Sequence, residues 1–179
     1  MPKAAYPFTP DEHANELLAS SGTALLIGLC LEQQVRSAKA MSGPLALRQR
    51  LGHLDAAKIA KIPDAKIQAV FRKPPAIHRF PGMMAKRVKA LCARIADDYG
   101  NDGARVWARQ TSSEEVFKRL RELPGFGEGK AASGVRILAK FGGRPLDGWR
   151  RYSSDEDLPW LYKDANASTD ARSLVAVEL

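Results

Sequence analysis

Apolar positions along this chain recur at three- and four-residue steps, and no segment shows the two-residue alternation of a half-buried strand. Thr9-Pro10-Asp11-Glu12 offers a cap, a proline for the first helical turn and two acids, which predicts a helix over residues 10–20. Residues 22–34 are apolar nearly all round until Glu32-Gln33-Gln34, which predicts a helix through the middle of the core whose polar end emerges at a surface. Gly and Pro then punctuate shorter helices over 38–51, 55–61 and 64–71. Ser42-Gly43-Pro44 is predicted to break the first of these, and Arg72-Lys73-Pro74-Pro75 to form a stiff extended link. Over 83–99, Met84, Val88, Leu91, Cys92 and Ile95 repeat at helical spacing, with Lys86, Arg87, Lys89 and Arg94 on the opposite, basic face. Helices over 102–109, 112–122 and 127–141 complete a chain predicted to be all-α.

At 179 residues the chain is long enough for one domain with a real core. We expect residues 1–151 to form it, with room for two small helical lobes around one cleft. Residues 152–179 turn acidic and loop-like and are expected to be a partly ordered tail, anchored by Leu158, Trp160, Leu161 and Tyr162. Charge sharpens the picture. Lys and Arg outnumber Asp and Glu by 28 to 20, and between Arg36 and Arg94 the only acids are Asp55 and Asp64. That balance favours a polyanionic partner approaching the middle of the chain; a merely solvated basic surface is the alternative. The two cysteines, Cys30 and Cys92, lie inside apolar helical patterns, as small buried hydrophobes in a reduced compartment would. Two thiols cannot supply an iron–sulfur cluster or the usual zinc set, so no cofactor is expected. With no bilayer-length apolar run and no signal pattern at Met1, a cytoplasmic monomer away from membranes is expected.

The most informative segment is Leu123-Pro124-Gly125-Phe126-Gly127-Glu128-Gly129-Lys130-Ala131, set between two predicted helices. Proline ends the first helix, the glycines at 125 and 127 allow positive φ in a tight turn, and a helix restarts at once. Backbone N–H groups from Gly125 to Gly129 would then face outward at a helix N-terminus, where a DNA phosphate needs no side chain to bind. The carbonyls of Leu123 and Gly125 are candidate ligands for a potassium or sodium ion bridging to that phosphate. A plain glycine connector between helices is the alternative.

This string, the helix after it, and Lys140-Phe141-Gly142-Gly143-Arg144-Pro145-Leu146-Asp147 resemble the helix-hairpin-helix DNA glycosylase superfamily, over roughly residues 23–151. The resemblance implies a two-lobed helical fold, double-stranded DNA as partner, and Asp147 as the catalytic carboxylate. It implies DNA contacts at Gly125, Phe126, Gly127, Glu128, Gly129 and Lys130. Leu31-Glu32-Gln33-Gln34 resembles the family's Leu-x-Gln-Gln, which makes Gln34 the group that fills the gap left by an extruded nucleotide, with Arg36 beside it on the DNA. Family members with lyase activity carry a lysine two residues after the second hairpin glycine. Here that residue is Gly129, and Lys130 is one further on, so hydrolysis without strand cleavage is expected.

A base inside a duplex is out of reach, so such an enzyme turns the nucleotide out into a pocket. Breaking the N-glycosidic bond builds positive charge on the sugar, which a carboxylate stabilises while orienting the attacking water. Asp147 is the candidate for both roles, with helix capping as its alternative. Trp149, Gln33 and His78 are the candidate pocket residues, and Phe71 and Phe80 weaker ones. A binding module without chemistry, and a protein that meets other acidic partners through its basic face, remain open beside the glycosylase.

Overall fold

The computed structural model describes residues 6–142 and 146–153. The acidic tail beyond Ser153, and Gly143, Arg144 and Pro145 from the run before Asp147, lie outside the described residues. The described chain is all-helical: eight α-helices and two short 3₁₀ helices, with no strand among them.

Helix α2 (Gly22–Leu31) is buried at every residue from Thr23 to Leu31, as its unbroken apolar sequence requires. Around it pack α1 (Glu12–Ser20), α3 (Ser37–Leu51), α6 (Pro81–Asp98) and α8 (Glu128–Phe141). Short helices α4 (Ala56–Ala60) and α5 (Asp64–Arg72) lie against α6, and α7 (Ser113–Arg121) pairs with α8. The buried side chains form one continuous cluster from Tyr6 to Leu146. Both thiols are inside it, and burial pushes the Cys92 thiol up to about 12. Among the described residues no single helix is long and apolar enough to cross a membrane; α1 and α2 qualify only as a pair, bent by 116°.

Several expected boundaries move, each for a local reason. Asp11 rather than Thr9 caps α1, its carboxylate accepting from the His13 and Ala14 amides. Thr9 is engaged elsewhere, its amide and hydroxyl both donating to Asn15 Oδ1. Helix α3 runs unbroken through Pro44, against expectation. Gly43, Pro44 and Leu45 are all buried there, and a Cβ on Gly43 would come within 2.3 Å of the Leu31 side chain. Packing against α2 thus overrides the proline's local cost. Helix α2 ends at Leu31, three residues early, so Gln33 and Gln34 sit in a loop instead of on its last turn.

Close approach fixes two crossings. At the start of α2, a Cβ on Gly22 would lie 2.2 Å from the Ala104 backbone nitrogen of the 3₁₀ helix Gly103–Val106. Midway along α8, a Cβ on Gly134 would lie 2.7 Å from the Leu120 side chain of α7.

Candidate nucleic-acid interface

The last turn of any helix leaves carbonyls without intrahelical partners, and in α2 that end lies inside the molecule. Two distant side chains satisfy it. His78 Nε2 lies 2.9 Å from Leu31 O, and Lys130 Nζ donates to Cys30 O at 2.8 Å. His78 Nδ1 accepts the Phe80 N–H, so the ring is neutral with its proton on Nε2. Burial holds its pKa below the ordinary value. At 1% exposure it cannot wall a base pocket, nor can Phe71 at 0%, and both expectations are corrected: these are core residues.

The hairpin turn sits directly over this junction. Gly125 adopts φ +82°, and a Cβ there would be 3.4 Å from Cys30 Sγ and 3.8 Å from Arg87 Cδ. The Phe126 ring is buried at 6% exposure and pins the turn to the core. Its N–H donates to Leu123 O, so this amide is not among those facing out, and Leu123 O offers a cation only its second lone pair. Gly127 is extended (φ −88°, ψ −172°), not left-handed as the sequence suggested. It begins α8, whose first turn has no side-chain cap. The Glu128, Gly129 and Lys130 amides of that first turn precede the first intrahelical bond, which Ala131 N makes to Gly127 O. A Cβ on Gly127 or Gly129 would meet nothing within 4 Å, so neither conformation nor internal packing demands glycine at these two sites.

Side chains of the first turn depart from expectation. The Glu128 carboxylate turns to Arg121 at 3.0 Å, which partly neutralises a charge that would repel a phosphate. Lys130 points inward to Cys30 O, and burial lowers its pKa, with the Arg87 guanidinium adding to the shift. Its contribution to an incoming anion is therefore electrostatic, across the first turn, rather than a direct outward contact.

Beside the hairpin, the loop after α2 is held at three points. Ser37 Oγ donates to the Glu32 carboxylate. Arg87 Nη1 donates to Gln33 Oε1 at 2.8 Å, and Lys130 Nζ lies 3.5 Å from the same oxygen. Gln34 is exposed with φ +54°, in the left-handed region that non-glycine residues seldom occupy. Arg36, exposed, stands at the N-cap of α3. The structure thus brings together Gly125, Gly127, Gly129, Gln33 and Lys130, which sequence singled out, and adds Arg87, which it did not. Arg87 belonged to the basic outer face of α6; its partner Gln33 is 54 residues away, a distance no local pattern bridges.

Asp147 lies elsewhere. Its N–H donates to Thr111 O, and its carbonyl accepts from both the Ser113 N–H and Ser113 Oγ. That fixes it at the N-terminal end of α7, whereas the hairpin follows the C-terminal end. The nine residues of α7 put roughly 13 Å between them. The carboxylate is exposed and makes no side-chain hydrogen bond or ion pair among the described residues. It caps nothing: Gly148, with φ +75°, holds the N-cap position of the 3₁₀ helix Trp149–Tyr152 without a side-chain bond. Half-buried Trp149 stays at this far end, with Lys140 Nζ and the Arg150 guanidinium 5.3 and 5.0 Å from its ring centroid.

No family model matches the chain, and no curated protein matches it.

Proposed function

We propose that this chain is a monofunctional DNA glycosylase of base-excision repair, which grips duplex DNA through the 123–130 hairpin and hydrolyses the N-glycosidic bond of an altered base turned out of the stack. The observation that carries it is the bare start of α8, where Gly127 and Gly129 have open space in front of uncapped amides. Glycine at both places suits an external phosphate that must come within hydrogen-bonding distance of the backbone. Arg87 and Lys130 raise the local positive potential, and the strained, exposed Gln34 stands next to them, placed to fill a gap in a base stack.

The separation of roughly 13 Å constrains the chemistry. A strand rises only about 3.4 Å per nucleotide along the duplex axis, so the gripped phosphate and the sugar that Asp147 would serve belong to different nucleotides. An exposed carboxylate there, without an ion pair among the described residues, would stabilise the developing sugar cation and orient water, with Trp149 two residues on as a stacking face.

One observation favours a second reading, a duplex binder without chemistry: the Gln33–Gln34 loop is at the hairpin end of the α7–α8 pair and Asp147 at the other. The deciding experiment is a mass-spectrometric survey of free bases released from randomly damaged duplex DNA. The glycosylase reading predicts release of a defined base, reduced at least about a hundredfold by Asp147→Asn with duplex binding retained. Binding with no base released establishes the second reading.

A further inference from the structure

A side-chain amide has two faces, an acceptor and a double donor, and rotation about its last bond normally lets it show either to a partner. Gln33 has lost that freedom. Its Oε1 accepts from the Arg87 guanidinium at 2.8 Å and lies 3.5 Å from the Lys130 ammonium. Turning the amide over would set its N–H groups against two cations that can only donate, losing both contacts. The surrounding loop is tied as firmly, by Ser37 to Glu32 on one side and by His78 to Leu31 O beneath. Gln33 Nε2 makes no hydrogen bond among the described residues, and the residue is half-buried rather than sealed, so its two N–H groups face outward. They emerge beside the hairpin, because the same Arg87 that holds Oε1 lies alongside Gly125.

Resting on the DNA-binding reading above, we infer that Gln33 is a specificity residue that presents donors only. It selects DNA carrying a hydrogen-bond acceptor on a base edge, such as a purine ring nitrogen or a pyrimidine carbonyl oxygen, opposite its fixed amide, and disfavours a base edge showing an N–H there. Arg87 and Lys130 are the positioning residues. Free amides read both kinds of edge; a clamped one discriminates, since a buried donor facing a donor leaves both unsatisfied.

The test is a coupling scan by equilibrium binding to a short duplex. Base acceptors are removed one position at a time, with 3-deaza or 7-deaza purines and pyrimidines lacking O2. The wild type is compared with Gln33→Met and Gln33→Glu. The glutamate keeps acceptors for Arg87 and Lys130, so it preserves the loop even if Met loosens it, but it has no donor to offer. Its extra charge weakens every duplex alike and cancels in the comparison. We expect one position at which acceptor removal weakens the wild type about tenfold and either variant less than about twofold. Tight wild-type binding with no coupled position overturns the inference and leaves the DNA reading standing. Absence of duplex binding by the wild type overturns both.

Discussion

His78 shows how a residue's chemistry follows from what it touches. Between Ile77 and Arg79 in sequence it has the look of a titratable pocket group, yet the folded ring is buried and joins Leu31 O to the Phe80 N–H. Burial depresses its pKa below 6.5. As pH falls through 6.5, the unfolded chain therefore binds a proton that the folded chain refuses, and stability declines until the lower folded value is passed. Chemical denaturation across that acid range should show this decline in the wild type and a shallower one in His78→Gln. The substitution itself should cost about 1–3 kcal/mol near neutral pH by orphaning the Phe80 N–H and leaving Leu31 O with the Gln33 N–H alone. A wild-type slope that survives the substitution unchanged would assign the effect to other groups. Residue identities at the hairpin were legible because glycine and proline act locally. The inward turn of Lys130 and the clamp on Gln33 were not, since both depend on partners about a hundred and 54 positions away.

Elements were legible where pattern and packing agree. Helix α6 shows its buried Met84, Val88, Leu91, Cys92 and Ile95 as the spacing foretold, and α7 falls within the expected span 112–122. They were misread where tertiary contacts overrule local preference, as at Pro44, or where a helix end is decided by side chains elsewhere, as at Leu31. The two glycine crossings differ in kind and give a graded prediction. At Gly134 the obstacle is the tip of Leu120, which can rotate, and alanine's better helix propensity offsets part of the strain. Gly134→Ala should therefore cost about 1 kcal/mol. At Gly22 the obstacle is backbone, so Gly22→Ala should cost at least about 3 kcal/mol. Equal losses in thermal or urea unfolding would show that the helix pairs adjust more freely than this packing allows.

At the scale of the whole molecule, the positive balance has two uses. Part of it is internal: Arg50 donates to Val70 O and Pro75 O, Lys39 to Ala76 O and Arg136 to Tyr152 O, tying loops to helices. Other cations pair with carboxylates, as Lys89 does with Asp64, while exposed ones such as Arg36 face solvent, where a polyanion could meet them. Composition alone could not divide the two, and sequence spacing alone could not show that the hairpin and Asp147 lie at opposite ends of one helix pair. The central claim is that backbone amides at the start of α8 hold a phosphate, which makes Gly129 matter to DNA and not to folding. Gly129→Leu fills open space on a helix and should leave thermal stability equal or raised by about 0.5–1 kcal/mol. Its bulk bars the close approach, so duplex affinity measured at constant salt should fall roughly ten- to a hundredfold. A folded Gly129→Leu protein that binds duplex DNA as tightly as the wild type would contradict the account.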